Sequence, residues 1–261
     1  SFLIREPASV YHDKAKENLS SHQLADFRRS PWLYRKKQLG LIPESESTTF
    51  LLGRAAHALI LEGRDSFEDA FAVGGPTNPK TGKPYGTTTK AYAQWIAAQG
   101  RPGISWDQLE LIEAMAEGVA MHDVALDLLA AGIPEGVIRT EYQGLPCQSR
   151  MDWFCPTRGI VDLKTCEDLT WFESDARRYG YIHQMAFYRE LLELVSGSRP
   201  PVHILAIEKR EPYRAGVWRL GEDVLGVAQK ENEEAMERLK RCAETDDWPT
   251  GYEEVRIFDY L

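Results

Sequence analysis

The chain has 261 residues, and its 31 basic and 40 acidic side chains give a formal net charge of −9. Its hydrophobic content of 43% and charged content of 27% are ordinary for globular proteins, which excludes a wholly disordered, collagen-like or coiled-coil chain. The negative balance excludes a protein that coats nucleic acid through bulk positive charge, although it is compatible with a local basic groove.

The sequence shows no pattern typical of secretion or membrane insertion. Residues 1–13 lack a basic leader followed by an apolar core, and no apolar run approaches the ~18 residues of a transmembrane helix. The chain begins with Ser rather than Met, which suggests a processed chain or an excised domain. Its four cysteines include no CxxC pair, so we expect reduced thiols and a cytoplasmic protein.

Helices are predicted for the first half of the chain. The basic segment 20–40 carries five basic side chains and one acidic side chain. A helix is predicted from about Thr49 to Glu62, where apolar residues recur at helical spacing before Gly63. The Gly-, Pro- and Thr-rich stretch 74–90 is predicted to be a loop, and residues 106–131 are predicted to form one or two amphipathic helices.

Short strand-like runs separated by turn residues dominate the second half. The predicted strands are Val137–Tyr142, Cys147–Phe154, Gly159–Thr165, Val202–Glu208 and Ala215–Leu220, and the predicted helices are 170–179, 182–195 and 222–243. This order predicts an α/β fold with a mixed central β-sheet flanked by helices.

We expect a single domain over residues 1–261, in three parts. Residues 1–133 would form a mainly helical part, and residues 134–220 would form the sheet with its helices. Residues 221–261 would form a C-terminal helix and an acidic tail, since they hold 12 acidic and 5 basic side chains.

Three charged residues in the predicted strands carry the strongest chemical signal. Asp162 and Lys164 are two positions apart in an apolar strand, so both side chains project from one face. If the preceding turn centres on Thr157, Asp152 lies opposite Asp162 across the hairpin. Adjacent carboxylates repel unless a cation lies between them, and their oxygens suit Mg²⁺ or Mn²⁺. With an ammonium beside it, such a site is equipped for metal-assisted hydrolysis of phosphodiesters.

Two further pairs of residues strengthen this interpretation. Two carboxylates and a lysine at such spacing occur by chance about once or twice in a chain of this length, and a hairpin with solvated charges is the alternative. Gln184 and Tyr188, however, lie one helical turn apart on a common face. His57 follows Gly53 by one turn in an otherwise apolar helix, where a lone histidine would more often be an ordinary core residue.

Together these residues carry a family resemblance. The set Gly53…His57, Asp152, Asp162-Leu163-Lys164 and Gln184-x-x-x-Tyr188 resembles the motifs of the PD-(D/E)xK nuclease superfamily. The resemblance is to its RecB-like exonuclease branch, and within it to nuclease domains of the exonuclease VIII (RecE) type. Segments 24–34 and 248–252 are similar to the terminal motifs of that branch. A Met replaces the Pro that names the superfamily, at a position that varies in such families.

The resemblance implies a restriction-endonuclease-like core and a role for each matching residue. The implied metal ligands are His57, Asp152, Asp162 and the backbone carbonyl of Leu163. The implied catalytic residues are Lys164, Asp162, Asp152, Gln184 and Tyr188. Lys164 would position or activate the attacking water, while the glutamine and tyrosine would orient the site and contact the substrate strand.

For the whole chain, the resemblance implies a metal-dependent 5′→3′ exonuclease on double-stranded DNA ends, with Mg²⁺ or alternatively Mn²⁺. Its 3′ single-stranded tails would serve recombination through a single-strand annealing protein of the RecT type, and the enzyme would be a toroidal homotetramer without membrane attachment. Some relatives carry an iron–sulfur cluster, but the cysteines here do not match its spacing, so no cluster is expected. The alternatives are a structure-specific endonuclease with the same core and a non-catalytic DNA-end-binding recombination module.

Basic side chains indicate where DNA would lie. The candidate DNA-binding residues are Ser21, Arg28, Arg35, Arg177 and Arg178. The first three belong to the basic segment 20–40 and could bind a terminal phosphate, since arginine presents a fork of donors to phosphate oxygens. An amphipathic helix with a solvated basic face is the alternative for that segment.

Overall fold

Helices occupy most of the first half of the computed structural model, which describes residues 2–43 and 47–259. They are α1 (Ala8–Lys14), α2 (Ser21–Arg29), α3 (Pro31–Gln38), α4 (Thr48–His57), α5 (Arg64–Ala70), α6 (Lys90–Gln99), α7 (Trp106–Ala120) and α8 (Asp123–Leu129). The predicted helix at 49–62 is α4 continued by a π-helical turn, Ala58–Glu62, and the predicted helical stretch 106–131 forms two helices. The sequence did not predict α5, α6 or the two-residue parallel strands β1 (Ala72–Val73) and β2 (Gly103–Ile104).

A five-stranded mixed sheet forms the centre of the second half. Its strands, in spatial as well as chain order, are β3 (Ile133–Tyr142), β4 (Leu145–Cys155), β5 (Gly159–Cys166), β6 (Val202–Glu208) and β7 (Ala215–Arg219). Only the β5–β6 pair of this sheet is parallel, and the crossover between them contains α9 (Phe172–Arg178) and α10 (Tyr181–Ser196). The last helix, α11 (Glu222–Thr245), follows β7. The predicted α/β fold with a mixed central sheet flanked by helices is confirmed.

Helices cover both faces of the sheet, so the central strand β5 is apolar on both sides. The core on one face, between the sheet and α2, α10 and α11, includes Phe27, Ile160, Phe187 and Met236. The core on the other face, between the sheet and α4, α7 and α8, includes Ala55, Met115, Val161 and Leu163. Because successive strand residues point to opposite faces, a charged residue in β5 is placed inside one of these two cores.

Two helices, rather than one, form the basic segment 20–40. Ser20 caps α2 in a reciprocal capping box with Gln23, and Ser30 ends that helix. Ser30 then caps α3 by accepting a hydrogen bond from the backbone N–H of Leu33, with Pro31 at the first helical position. These local signals stop and restart the helix within ten residues.

The segments 24–34 and 248–252 pack against each other. The ring of Trp248 stacks on that of Tyr34 with centroids 6.0 Å apart, and the backbone N–H of Trp32 donates to the carbonyl of Pro249 at 3.1 Å. The chain after α11 is thereby held on α3. Among the described helices, none is both long and apolar enough to cross a lipid bilayer.

At the start of β5, the backbone of Gly159 packs so closely against its neighbours that no side chain fits. Its φ is +95°, and a Cβ there would lie 1.9 Å from the carbonyl oxygen of Pro201. We expect Gly159→Ala to lower the free energy of unfolding by about 3 kcal/mol in urea titrations, because the backbone must move. Gly226→Ala is the control, since no atom lies within 4 Å of its Cβ and alanine favours α11 by up to about 1 kcal/mol. Equal stability of Gly159→Ala and wild type would contradict this packing.

Candidate metal centre

The β4–β5 hairpin brings the two predicted aspartates together. Its residue pairs are symmetric about Thr157, so continuing the register places Asp152 opposite Asp162, as the sequence predicted. The ladder ends one position before this pair. There the backbone N–H of Leu163 donates to Asp152 Oδ2 at 2.8 Å instead of to a strand carbonyl. The two strands therefore separate where the carboxylates lie.

Asp162 is a buried charge with an incomplete set of partners. Its side chain is 1% exposed, Lys164 Nζ lies 2.5 Å from its Oδ2, and its Oδ1 accepts no hydrogen bond from the described part of the chain. Burial raises the pKa of Asp162 to about 6 although Lys164 opposes this. Burial also acts to lower the pKa of Lys164, but the Asp162 and Asp152 carboxylates outweigh it and raise that pKa, so the lysine is an ammonium at neutral pH.

A relay of hydrogen bonds from α10 holds the lysine in place. Lys164 Nζ donates to Gln184 Oε1 at 3.1 Å, and Gln184 Nε2 donates to the Tyr188 hydroxyl at 3.0 Å. The same ammonium lies 4.8 Å from the ring centre of Tyr181. Of the predicted glutamine–tyrosine pair, Gln184 therefore contacts the predicted lysine directly, and Tyr188 orients the amide of Gln184.

His57 reaches the centre from the opposite face of the sheet. It is the last residue of α4, directly before the π-helical turn, and its Nδ1 lies 3.5 Å from Asp152 Oδ2. Burial, assisted by the positive charge of Lys164, lowers the pKa of His57 to about 4. The imidazole is therefore neutral at pH 7 and keeps a lone pair that can bind a metal ion.

Glu135 is a residue of this centre that the sequence did not identify. In the β3–β4 register it lies opposite Asp152, between the pairs Pro134–Trp153 and Gly136–Met151. Burial raises its pKa to about 8, with the Asp152 charge adding to the effect. The sequence prediction began this strand at residue 137, because a Pro and a Gly flank the glutamate and are typical of turns. Extending the antiparallel register of β3 and β4 would have found it.

The donor atoms of the centre suit a hard divalent cation. One ligand atom from each of His57, Glu135 and Asp152 can be chosen so that all lie within 4.8 Å of one another. The carboxylate oxygens suit Mg²⁺ and Mn²⁺, and the imidazole nitrogen is a softer donor that Mn²⁺ accepts more readily than Mg²⁺. This trio differs from the ligand set implied by the resemblance: it includes Glu135 and does not include Asp162, whose Oδ2 is paired with Lys164. The metal roles of Asp162 and of the Leu163 carbonyl stay predictions.

Only one of the five candidate DNA-binding residues is placed at the centre by the contacts of the described residues. Ser21 is buried beside Tyr188, close to the centre. The arginines have other neighbours: Arg28 donates to Asn232 of α11, Arg35 lies 3.5 Å from Asp246, Arg177 lies 3.6 Å from Glu173, and Arg178 lies over the Tyr179 ring. The structure therefore brings Ser21 to the centre and ties the arginines to other side chains; their contact with DNA stays a prediction.

The raised pKa of Asp162 predicts a pH dependence of the stability of the metal-free protein. The ordinary pKa is 3.8 and the folded value is about 6, so folding favours the protonated form and the free energy of unfolding falls as pH rises through this window. Asp162→Asn removes this dependence. In urea titrations with EDTA, we expect the free energy of unfolding of the variant, relative to that of wild type, to rise by up to about 3 kcal/mol between pH 4 and pH 7. A difference that is independent of pH would contradict the assigned burial.

Metal binding is expected to stabilise the folded protein. Mn²⁺ or Mg²⁺ at 100 times the dissociation constant should raise the free energy of unfolding by about 2.7 kcal/mol, seen as a higher Tm. Asp152→Asn keeps the acceptor for the Leu163 N–H but loses a ligand charge, so the Tm shift should disappear. Asp127→Asn, which changes an exposed carboxylate paired with Arg158, is the matched control. Equal metal-induced shifts in the two variants would contradict the site.

Residues 20–259 match the PDDEXK-like domain of unknown function DUF3799, and no curated protein matches the chain. The crystal structure of a candidate exonuclease from Eubacterium rectale is similar, with a TM-score of 0.71 at 17% identity over 99% of this chain and 97% of that chain. An alkaline exonuclease from Laribacter hongkongensis aligns over 62% of this chain and 90% of that chain, at 17% identity and a TM-score of only 0.26. The chain therefore belongs to the PDDEXK-like DUF3799 family, which confirms the PD-(D/E)xK superfamily assignment made from its motifs.

Proposed function

We propose that this protein is a metal-dependent nuclease that degrades double-stranded DNA from its ends. The observation that carries the proposal is the position of Lys164, an ammonium held beside the buried carboxylate of Asp162 and the partly buried carboxylate of Asp152, whose combined charge it does not balance. Such an excess of buried negative charge favours a divalent cation, and the cation together with the ammonium favours a phosphodiester. Membership of a PDDEXK-like family supports the same chemistry.

The residues of the chain have separate tasks in this reaction. A bound Mg²⁺ or Mn²⁺ would polarise the phosphoryl group and lower the pKa of a water molecule. The ligands that fit it are Asp152, Glu135 and the neutral imidazole of His57. Lys164 donates hydrogen bonds to an incoming water or to a phosphate oxygen, and it compensates the charge that develops on that oxygen.

Positioning of the ammonium is the contribution of α10. A free lysine side chain samples many rotamers, and each wrong rotamer removes the donor from the reacting phosphate. Gln184 accepts one hydrogen bond from Lys164, and Tyr188 accepts one from Gln184, so both polar side chains are already in place before substrate arrives. The reaction therefore starts from an ordered lysine, at no further cost in side-chain entropy.

For the finer activity we propose 5′→3′ digestion that leaves 3′ single-stranded tails for recombination by strand annealing. The motif resemblance supports this direction, the homotetramer, the annealing partner and the cytoplasmic location. The charge distribution supports a confined DNA path, because residues 221–261 hold 12 acidic and 5 basic side chains while segment 20–40 is basic. An acidic exterior limits non-specific binding along the duplex, which suits an enzyme that starts at ends.

Lys164→Met tests the role of the ammonium. The variant keeps an unbranched side chain that is one heavy atom shorter and loses the charge, so the cleavage rate should fall by at least about 100-fold. Steady-state cleavage of linear duplex DNA measures this loss, with far-UV circular dichroism to confirm folding. Lys230→Met, which changes an exposed lysine of α11, is the control and should cleave at the wild-type rate. Wild-type activity of Lys164→Met would contradict the proposed mechanism.

A gel assay with end-labelled linear duplex tests the function itself. The duplex carries its label at the 5′ or the 3′ end, and parallel reactions contain Mg²⁺ or EDTA. We expect rapid release of the 5′ label, a 3′ label retained on shortening strands, and no digestion in EDTA. Cleavage of covalently closed circular DNA would indicate an endonuclease, and resistance of linear duplex in Mg²⁺ would contradict a nuclease.

A further inference from the structure

Glu135 extends the row of carboxylates across a third strand of the sheet. By register, Glu135 of β3 lies opposite Asp152 of β4, which lies opposite Asp162 of β5. The backbone of Glu135 has φ +54°, a left-handed conformation that a non-glycine residue adopts at a cost of about 1–3 kcal/mol. Strain of this size at a glutamate beside a candidate metal centre indicates that the position of its carboxylate matters.

Glu135 is paired with Arg150. The Nε of Arg150 lies 2.6 Å from Glu135 Oε2, and the two side chains are only 26% and 19% exposed. Arg150 is two residues before Asp152 on β4, and its guanidinium lies 5.6 Å from the ring centre of Tyr11. The centre thus contains a second cation besides Lys164, and this one is held by the carboxylate that the motifs do not include.

We propose that Glu135 is a metal ligand, and that a metal ion displaces Arg150 from it; this inference rests on the proposed nuclease function. The donor atoms of Glu135, His57 and Asp152 all lie within 4.8 Å of one another. This is close to twice the Mg²⁺–oxygen distance of about 2.1 Å, so one ion between them can reach all three after small movements.

The charges of the centre favour this exchange. When all three are ionised, the carboxylates of Glu135, Asp152 and Asp162 face only two cationic side chains, Lys164 and Arg150, in a largely buried region. Asp162 is 1% exposed, and its Oδ1 has no hydrogen-bond partner among the described residues, so part of this negative charge is uncompensated. A divalent ion reverses the sign of the net charge and makes it complementary to one phosphodiester.

The exchange would also release Arg150 to bind the substrate. Once the metal holds Glu135, the guanidinium is free to turn toward the phosphate that the metal attracts, since its fork of donors matches phosphate oxygens. Metal binding would thus prepare the substrate site. The competing explanation is that the ion pair only stabilises the left-handed backbone of β3 at Glu135 against β4.

The two explanations differ in what Arg150 does to metal affinity. A counter-ion competes with the metal for Glu135, so Arg150→Met should bind Mn²⁺ at least as tightly as wild type. If the ion pair only stabilises the local structure, removing either Glu135 or Arg150 would disturb the centre and impair metal binding equally. Glu135→Gln, which keeps the shape of the side chain, should weaken Mn²⁺ binding at least tenfold.

Isothermal titration of the full chain with Mn²⁺ at a fixed pH measures these affinities without DNA. Glu141→Gln on the exposed end of β3 and Arg158→Met in the β4–β5 turn are matched controls, expected to bind Mn²⁺ as wild type does. Thermal unfolding in EDTA confirms that each variant is folded. If Glu135→Gln does not fold, the Arg150→Met measurement still decides between the explanations.

Two results would overturn the inference: Mn²⁺ affinity of Glu135→Gln within twofold of wild type, or a loss in Arg150→Met as large as that in Glu135→Gln. Either result, with Mg²⁺-dependent cleavage by the wild type intact, leaves the nuclease function standing and removes Glu135 from the ligands. A wild type that neither binds Mn²⁺ nor cleaves linear duplex removes both.

Discussion

Electrostatic repulsion between carboxylates on adjacent strands is the constraint around which this centre is organised. The β4–β5 ladder ends where Asp152 and Asp162 meet, and the Leu163 N–H turns from the sheet to a carboxylate. Buried carboxylates at this separation need positive charge, and the cationic side chains nearby are too few to supply it. This excess of negative charge accounts for the pairing with Lys164, and it favours binding of a divalent ion where the strands separate.

Helices on both faces of the sheet place further side chains around the excess negative charge of the carboxylates. Because β5 is covered on both faces, α4 delivers His57 from one side and α10 delivers Gln184 and Tyr188 from the other. One helix thus supplies a neutral imidazole that could bind the proposed metal ion, and the other fixes the ammonium. The first of these helices ends at residue 57, far before β5 in the chain, and the second lies in the crossover after β5, so the site exists only when both cores are formed.

Local sequence signals predicted the parts of the site that lie close together in the chain. The hairpin register followed from the turn at Thr157, and the glutamine–tyrosine pair followed from helical spacing. Glu135 was not predicted, because Pro134 and Gly136 are typical of a turn and hide the start of β3. Contacts between distant segments could not be predicted from the sequence either. Nothing near Arg28 indicates that its partner is Asn232 of α11, which lies 204 residues away in the chain.

Anomalous X-ray diffraction from crystals soaked in Mn²⁺ would locate the metal ion without reference to activity. We expect an anomalous peak where β4 and β5 separate, within coordination distance of Asp152 and of the imidazole of His57. It also predicts that Lys164 keeps its contact with Gln184 when the ion is bound. Density for ordered carboxylates with no anomalous peak at millimolar Mn²⁺ would contradict a metal centre at this position.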